Sequence, residues 1–474
     1  MKNCKRPWAT AACLGVVTSL FLVACGGGDT SPAFGNTSAT PTTPATLPVA
    51  GASGYPNGPI TCSISDQRAW LRDYMNDQYF WYDRQGVPNA AAASMDEYLE
   101  ALLFKPVDRY SFAESTVAAN QFFEQGTRTG YGYALGWSDS AQTVLKVRLI
   151  EPLGPLGLGK LLKRGDTIVS IDGFSPAKIV AGQAGPVSAE GVQRAFVVKD
   201  DAGTQRSFNL ASVKFALSPV INSQVLTAPN GDRVGYLMYQ EFITTGAPAL
   251  GTAFDSFRNA GVKHLILDFR YNGGGSTAQA RTIASMAGGA DVAGKVFAQF
   301  RFNAKYAADN FSQTFQLAGL PAVPLQGIDK IMVITSANTA SASELVINSL
   351  RPFKNVVTVG STTFGKPFAF LPIDACGTTY NAVNLEVANA LGFADYSSGF
   401  VPTCAVSDDL TRQFGDPQEL RTAAALGFIA TGQCPAPSGQ LKPAPGRFKA
   451  AIDAMNPGEL GWGETSPRRA RVER

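Results

Sequence analysis

The fold of this chain is decided by the stretch KIMVITSANTASASELVINSL, residues Lys330–Leu350. Its first part, Lys330–Ser336, is a short apolar run that predicts a buried strand, and Ala340–Leu350 predicts a helix directly after it. Ser341 stands at the start of that helix among small residues, which leave its hydroxyl accessible. A helix N-terminus also favours negative charge that develops beside a nucleophile. The stretch therefore indicates a nucleophilic serine at the end of a strand.

Strands and helices alternate on both sides of this stretch. Arg233–Phe242, His264–Arg270 and Asn355–Gly360 are predicted as buried strands, and Ala247–Ala260 as a helix. Alternation of this kind predicts an α/β fold with a largely parallel sheet. In such a sheet the carboxyl ends of the strands meet at one edge, where ligands bind.

Lys366, in VGSTTFGKPF (Val359–Phe368), is a candidate general base for Ser341 because it follows the fourth predicted strand. A lysine must be neutral to accept a proton, so its free pKa of ~10.4 must be lowered, for example by desolvation. Apolar neighbours could supply that desolvation, namely Phe364, Pro367, Phe368 and Phe370. Taken alone, this lysine would be interpreted as a solvated loop charge.

The chain contains one histidine, His264, which opens a strand-like run. A Ser-His-Asp triad needs an imidazole beside the nucleophile. We expect His264 to be a structural or surface residue, so the base would be an amine.

A glycine triplet follows the second predicted strand in RYNGGGS (Arg270–Ser276). Its backbone N–H groups, with that of Ala342, could point at an oxyanion. A plain loop is the alternative, and a phosphate cradle lacks the GKS or GKT that should follow.

Bulk properties limit the classes of function. The 474 residues suggest about three domains. The net charge of +3 is too small to indicate nucleic acid as a partner. The basic end, PRRARVER, is interpreted as a solvated tail.

The first residues have the pattern of an exported protein. A positively charged start precedes a mostly apolar run, Ala9–Ala24, that is short for a membrane span. LVAC, Leu22–Cys25, resembles the lipobox of bacterial lipoproteins. The resemblance implies cleavage before Cys25 and its acylation, and Gly26 favours an outer-membrane anchor facing the periplasm. A secretory signal with a chance cysteine is the alternative.

Four cysteines remain beyond the signal and Cys25, an even number that suits an oxidising compartment. We expect disulfides Cys376–Cys404 and Cys62–Cys434, with free buried thiols as the alternative. Metal binding is not expected, because no CxxC pair is present.

A β-rich segment carries a PDZ-like signature in LLKRGDTIVSIDG, Leu161–Gly173. The GYGY residues Gly130, Tyr131, Gly132 and Tyr133 would then form the loop that captures a peptide's terminal carboxylate. A PDZ domain that only packs against its neighbour is the alternative.

The expected domains follow from these segments. They are a lipoprotein signal peptide (1–24), a flexible tether (25–60), an N-terminal helical domain (61–127), a PDZ-like domain (128–217), a catalytic core (218–434) and a Pro-rich tail (435–474).

Three motifs, in this order, resemble the carboxy-terminal processing peptidase family, the Ser-Lys serine peptidases that include tail-specific proteases: LILDFRYNGGG, SANTASASEL and TFGKP. The matching residues are Asp268, Arg270, Asn272, Gly274 and Gly275, then Ser341–Glu344, then Phe364–Lys366. The resemblance extends over Asp66–Cys434 and includes QYFWYD and DRYS (Asp108–Ser111). It implies a ClpP/crotonase-like catalytic core with an inserted or preceding PDZ domain and an N-terminal helical segment.

The resemblance also implies roles for the matched residues. Ser341 would be the nucleophile, Lys366 the general base and Glu344 an acidic residue that supports the dyad. Gly274 and Ala342 would offer the oxyanion-hole N–H groups.

Three positions depart from the family pattern, namely Pro367, Phe370 and Pro352. At these positions family members usually carry glycine, and some carry glutamine and an acidic residue, respectively. The identity of a third catalytic residue therefore stays open. The insertion between Cys376 and Cys404 is typical of a lipoprotein branch.

The expected function is a lipid-anchored serine endopeptidase that faces the periplasm and cleaves proteins or peptides through an acyl-enzyme. Substrates could be engaged through their C-termini, and no metal or organic cofactor is expected. The alternative is an inactive lipoprotein that binds peptides or apolar ligands. An acyl-CoA enzyme of the crotonase type is a third and weaker interpretation.

Overall fold

The structure, a computed structural model, describes residues 53–139, 141–436 and 470–471. These residues belong to the unit Ala50–Arg474. The expected signal peptide, the lipidation site Cys25, and most of the tether and tail lie outside the described residues.

The described part of the chain has a mixed α/β fold with several sheets. Its helices are α1 (Ile64–Gln78), α2 (Met95–Leu102), α3 (Thr116–Phe123), α4 (Pro155–Leu158), α5 (Pro176–Val180), α6 (Ala247–Ala260), α7 (Thr277–Gly288), α8 (Ala342–Leu350) and α9 (Leu420–Thr431). Short 3₁₀ turns span Thr244–Gly246, Gly289–Val292 and Ala304–Asp309.

The strands are short and are distributed over five sheets. They are β1 (Phe112–Ser115), β2 (Thr127–Gly130), β3 (Tyr133–Trp137), β4 (Leu145–Ile150), β5 (Thr167–Ile171), β6 (Gln193–Lys199), β7 (Gln205–Ala211), β8 (Val213–Ala216), β9 (Val220–Thr227), β10 (Arg233–Tyr239), β11 (His264–Asp268), β12 (Gly275–Ser276), β13 (Val296–Phe302), β14 (Phe311–Thr314), β15 (Lys330–Thr335), β16 (Asn355–Gly360), β17 (Phe368–Phe370), β18 (Ile373–Ala375), β19 (Thr378–Asn381), β20 (Val383–Ala388), β21 (Cys404–Ala405) and β22 (Ala470–Arg471). Strands β1, β19 and β18 form one small sheet, and β2 and β8 form another.

The central sheet has the strand order β21-β16-β15-β11-β10-β9. Strands β10, β11, β15, β16 and β21 run parallel, and only β9, at the edge, is antiparallel to its neighbour. The predicted parallel sheet is confirmed. Each of its four predicted strands is present, although three of them end one to three residues earlier than predicted.

Both faces of the central sheet are covered, which explains the nearly continuous apolar runs of its strands. Leu265 and Leu267 of β11 face a core that includes Phe254 of α6 and Val346 of α8. The residue between them, Ile266, faces a second core with α9. The alternation of side chains along a strand therefore divides one apolar run between two helical layers.

A second six-stranded sheet has the order β12-β22-β17-β20-β13-β14. Strands β17, β20, β13 and β14 pair antiparallel. The two-residue strand β22 pairs parallel with β12 and with Phe370 of β17. This sheet was not predicted, yet it carries the strand that follows Lys366.

The segment with the PDZ-like signature forms a five-stranded antiparallel sheet, β3-β4-β5-β6-β7, with helices α4 and α5. We call it the small β-module. It has its own apolar core, which includes Tyr131, Val147, Ile168 and Phe196.

The N-terminal region, where the sequence predicts helices, contains α1 and α2. Helix α1 ends at Gln78 because Tyr79 is extended. Tyr79 is fully buried, and the Trp81 ring packs edge-on against Phe368. These aromatic residues therefore belong to one core cluster.

The predicted disulfide pairing is wrong. The structure pairs Cys62 with Cys376 and Cys404 with Cys434, with Cα–Cα distances of 5.6 and 5.3 Å. Cys376 lies in the turn between β18 and β19, and β19 pairs with β1 of the N-terminal region. Cys404 instead belongs to β21, at the edge of the central sheet. The β-sheets therefore separate Cys376 from Cys404, so proximity along the sequence was a poor guide.

The described residues contain no helix that is long and apolar enough to cross a membrane. They also contain no cluster of histidine, cysteine and acidic side chains that could hold a metal ion.

Candidate active site

The three sequence motifs follow three adjacent parallel strands of the central sheet. The glycine loop 273–275 comes after β11, Ser341 after β15 and Lys366 after β16. Because parallel strands end at one edge of a sheet, all three motifs lie at the same edge.

Ser341 is the N-cap residue of α8, and its backbone is in an unusual conformation. Its φ is 57° and its ψ is −109°, a backbone conformation that residues other than glycine rarely adopt. Ser341 is 4% exposed. Such local strain is concentrated at functional sites, where surrounding contacts maintain it. This backbone conformation ends the loop that follows β15, and helix α8 begins at the next residue, Ala342.

Glu344 joins the serine to the lysine loop through one buried carboxylate. Its Oε2 accepts the backbone N–H groups of Ser341 and Lys366, each at 2.8 Å. The two nitrogens are therefore no farther apart than twice that distance. Its Oε1 accepts the Gly365 N–H at 2.7 Å and the Thr363 hydroxyl at 2.5 Å.

The Glu344 carboxylate is fully buried, and its acceptors are all used by the protein. Burial raises the pKa of Glu344, whereas the hydrogen bonds from Thr363 and from the backbone of Lys366, Ser341 and Gly365 act in the opposite direction. The sequence placed Glu344 beside the dyad, and the structure shows that it contacts the backbone of both loops.

Lys366 is 1% exposed and lies against an aromatic ring. Its Nζ is 3.6 Å from the centre of the Phe370 ring. Phe370 is one of the positions that depart from the family pattern, and here its ring contacts the lysine amine directly. The expected apolar surroundings of Lys366 are therefore present at Phe370.

Two residues that the sequence left without a role, Arg109 and Tyr110, hold the lysine loop. Arg109 Nη2 donates to the carbonyl oxygens of Phe364 at 2.8 Å, Gly365 at 3.2 Å and Ser397 at 2.9 Å. The Tyr110 hydroxyl donates to the Gly365 carbonyl at 2.9 Å. Both belong to DRYS, so the motif was visible in the sequence, but its contact with a loop some 255 residues away was not.

The glycine loop is fixed by Asn272. The Gly274 N–H donates to Asn272 Oδ1 at 2.9 Å, so this expected oxyanion donor is engaged by a side chain. The Asn272 carbonyl accepts the Ala340 N–H and the Ser343 hydroxyl, both at 3.1 Å, which ties the loop to the start of α8. The other expected donor, the N–H of Ala342, is at the first helical position and has no acceptor within its own helix.

Gly275 can only be glycine. Its φ is 136°, and an added Cβ would lie 2.3 Å from the Phe242 carbonyl oxygen. The glycine loop therefore passes too close to its neighbour for any side chain.

His264 lies far from the motifs, as expected. It is the first residue of β11, whereas the glycine loop follows the last residue of that strand. Its Nε2 is 3.3 Å from Asp232 Oδ2, and the residue is 3% exposed. The expectation that it is structural is confirmed.

Of the four residues predicted to bind peptide, three border a cavity of about 170 Å³, namely Gly130, Tyr131 and Tyr133. The Tyr131 hydroxyl donates to the Val192 carbonyl at 2.9 Å, and its ring packs edge-on against Phe196. Both tyrosines therefore belong to the core of the small β-module. The cavity is lined by Ala118, Gln121, Phe122, Thr127, Arg128, Thr129, Gly130, Tyr131, Tyr133, Gly185, Pro186, Val187 and Ser188.

Glu151, in the small β-module, is a buried carboxyl with a high proton affinity. Burial raises its pKa to about 7, and the charge of Arg128 offsets only part of that effect. The carboxylate also faces the Ser218 N–H at 3.4 Å. Unfolding returns the carboxyl to its ordinary pKa, so between pH ~4.5 and ~7 the folded chain holds a proton that the unfolded chain releases. This residue's contribution to stability therefore declines as pH rises.

We expect the Glu151→Gln substitution to remove that decline. The difference in free energy of unfolding, variant minus parent, should rise by about 3 kcal/mol between pH 4.5 and 8. Urea unfolding at several pH values measures it. Glu190→Gln, at an exposed position of the small β-module, serves as the control and should show no such trend. A flat difference for Glu151→Gln would contradict the burial argument.

Family models match two parts of the chain. Peptidase family S41 matches residues 233–386, and the peptidase S41 N-terminal domain matches residues 66–112. The first match includes Ser341, Glu344, Lys366 and the glycine loop. The second includes Arg109 and Tyr110.

Relatives with known names are similar to the chain. The chloroplastic carboxyl-terminal-processing peptidase 2 of Arabidopsis thaliana is 26% identical over 253 residues, which are 51% of this chain and 46% of that protein. The carboxyl-terminal-processing protease of Picosynechococcus sp. is 24% identical over 308 residues, 63% of this chain and 70% of that protein. The chain thus spans about half the length of the plant relative.

A solved structure has a similar fold. A crystal structure of a chain from Bacteroides fragilis, assigned to the S41 proteases, has a TM-score of 0.62 and 26% identity, and the match covers 77% of this chain and 97% of that one. The chain therefore carries matches to peptidase family S41 over residues 233–386 and to its N-terminal domain over residues 66–112, which support a serine-type peptidase, and its relatives include carboxyl-terminal processing peptidases.

Proposed function

We propose that the chain is a serine endopeptidase in which Ser341 is the nucleophile and Lys366 the general base. The observation that carries this proposal is the Glu344 carboxylate, whose Oε2 accepts the backbone N–H groups of both residues. Four donors satisfy this fully buried carboxylate, which holds the two loops together. A catalytic arrangement of Ser341 and Lys366 accounts for its presence.

In the proposed reaction the neutral amine of Lys366 takes the proton of the Ser341 hydroxyl while Oγ attacks the carbonyl carbon of the scissile bond. The tetrahedral oxyanion collapses, the C–N bond breaks, and Lys366 passes its proton to the leaving amine. Lys366 then takes a proton from water, whose oxygen attacks the ester. When that ester breaks, the proton returns to Ser341 Oγ.

The proposed oxyanion hole uses the N–H groups of Ala342 and Gly274. Ala342 N–H stands at the start of α8, where the helix dipole also favours negative charge. Gly274 N–H is bonded to Asn272 Oδ1 in this structure. The proposed role requires Gly274 to exchange that amide oxygen for the oxyanion, so a small movement of the glycine loop accompanies substrate binding.

The substrates we propose are proteins or peptides, engaged in part through their C-termini. The small β-module would act as a PDZ domain, with Gly130 and Gly132 in its carboxylate loop, and the core that follows would be ClpP/crotonase-like. The cavity along residues 127–133 supports this proposal, because it adjoins the loop where a peptide terminus would bind. For the domains we propose the boundaries that the sequence predicts.

The cellular location we propose is the outer membrane, with Cys25 acylated and the peptidase facing the periplasm. The two disulfides support an oxidising compartment.

The Ser341→Ala substitution tests the proposed activity. We expect hydrolysis of casein and of a peptide with a C-terminal tail to fall at least about 10³-fold, because the nucleophile is lost. Ser349→Ala is the matched control, since this buried serine lies on the same helix and its hydroxyl has no partner among the described residues. It should keep activity within about twofold, as it removes no reacting group. Equal rates for Ser341→Ala and the parent would refute the proposal.

A further inference from the structure

Arg164 extends out of the small β-module and contacts the catalytic core. It lies in the turn before β5, and its side chain is 2% exposed. On its own module it donates from Nη1 to the Arg148 carbonyl at 2.5 Å. From the same nitrogen it donates to the hydroxyl of Tyr271, 3.0 Å away, which belongs to the core.

The remaining N–H groups of Arg164 bind the loop 408–414. Nη2 donates to Asp408 Oδ1 at 2.9 Å and to the Asp409 carbonyl at 3.1 Å, and Nε donates to the Arg412 carbonyl at 3.2 Å. With Arg148 and Tyr271, these contacts use all five N–H groups of a guanidinium. A lysine has three donors and could not reproduce this planar set.

The backbone also approaches closely at this contact. Gly165 has a φ of 97°, and an added Cβ would lie 2.3 Å from the Leu410 carbonyl oxygen. The Arg164 guanidinium is 4.4 Å from the centre of the Phe414 ring. The turn of the small β-module is thus seated tightly on this loop.

Tyr271 connects the contact to the glycine loop. It has a φ of 67° and directly precedes Asn272, whose side chain holds Gly274 and whose carbonyl accepts the Ala340 N–H. A buried ring in this conformation has little freedom to move without moving Asn272. A series of contacts therefore connects Arg164 with Gly274 through Tyr271 and Asn272.

Asp408 secures the same contact from the side of the core. It accepts from Arg164, from Arg270 Nη1 at 3.1 Å and from the Tyr271 hydroxyl. Burial by itself raises the pKa of Asp408, but the charges of Arg421, Arg164 and Arg270 outweigh it and hold the pKa well below its usual range. The carboxylate is therefore charged and pairs with cations from both sides.

We propose that Arg164 is a positioning residue for the reaction, through which the small β-module sets the conformation of the glycine loop 273–275. It acts through Tyr271 and Asn272 and touches no reacting atom. This inference rests on the proposed function, since that loop supplies the Gly274 donor.

The test compares Arg164→Met with Arg206→Met. Arg206 lies in the small β-module and donates from Nη2 to Leu161 O at 2.9 Å and to Asp166 Oδ2 at 2.5 Å, in the same turn region, but none of these contacts reaches the core. Hydrogen exchange of the amides of residues 272–276 is measured by mass spectrometry in the Ser341→Ala background. We expect exchange at least about tenfold faster with Arg164→Met and unchanged with Arg206→Met, because only the first opens the loop.

Kinetics with Ser341 intact give the second measurement. Arg164→Met and Tyr271→Phe should each lower kcat, by about 10- to 100-fold for the arginine, with KM changed less than about threefold, because a misplaced oxyanion donor weakens transition-state binding. Arg164→Lys should restore part of kcat. Effects of the same size for Arg206→Met in exchange or in kcat would overturn the inference. If the parent cleaves nothing, the proposed function fails, and the exchange experiment still decides this inference.

Discussion

The Lys366→Met variant is expected to lose about 10²- to 10⁴-fold in kcat for peptide hydrolysis, the range that a positioned general base contributes. Methionine is unbranched and close to lysine in length, so it can occupy the buried site beside Phe370, where the lysine amine lies 3.6 Å from the ring centre. The variant removes the proposed proton acceptor and leaves the backbone N–H that binds Glu344. We expect KM to change little, because the amine acts on the chemical step.

Lys354→Met is the matched control for this experiment. The Lys354 amine pairs with Asp291 at 2.6 Å in the same catalytic core, and its side chain is also largely buried. This substitution removes a lysine of similar burial without touching the motif loops, so kcat should stay within about twofold of the parent. If Lys366→Met retained more than a tenth of the parental kcat, Lys366 would not be the base.

The Glu344→Gln variant should reduce kcat by about 10²-fold or more and lower the free energy of unfolding by about 2–4 kcal/mol, because buried donors lose their acceptor. The carboxylate accepts four donors, namely Ser341 N–H, Lys366 N–H, Gly365 N–H and the Thr363 hydroxyl. A glutamine offers one acceptor oxygen, and its NH₂ group would face two of these donors. Ser341 and Lys366 then lose their shared anchor.

Glu386→Gln controls for the loss of a negative charge in the same core. Glu386 pairs with Arg301 at 3.2 Å on the second sheet and is partly exposed. Both kcat and stability should stay near parental values, since exposed pairs contribute little. Urea unfolding gives the free energy, and initial rates give kcat. Parental kcat in Glu344→Gln would show that the anchor does not position the dyad.

The parallel sheet could be predicted because its strands have both faces buried, which produces apolar runs that end at polar loops. The run His264–Arg270 is an example, since its strand ends at Asp268 and the motif follows at once. Helix Ala247–Ala260 was predicted to the residue, because Pro248 marks its first turn and Gly261 ends it with a φ of 65°.

The second sheet and the disulfides could not be predicted, because both depend on which strands become neighbours. Strand β17 is three residues long and β12 is two, so their sequences carry no detectable alternation. Cys376 pairs with Cys62 across 314 residues. Nothing in the spacing of four cysteines decides among the three possible pairings.

The candidate site was predicted in part. The serine and the lysine are marked by motifs, and Glu344 lies one helical turn from Ser341. The roles of Arg109, Tyr110 and Asn272 depend on contacts that only the folded chain brings together. Arg109, for example, binds three carbonyl groups more than 250 residues away.

The most direct test of the dyad is the site and rate of covalent labelling by a peptidyl fluorophosphonate, mapped by tryptic mass spectrometry. The reagent reports a serine whose hydroxyl is activated by a neighbouring base. We expect a single adduct on the peptide that contains Ser341, formed at least about 100-fold more slowly in Lys366→Met. An adduct on a different residue, or equal rates of labelling in the parent and in Lys366→Met, would contradict the Ser341–Lys366 dyad.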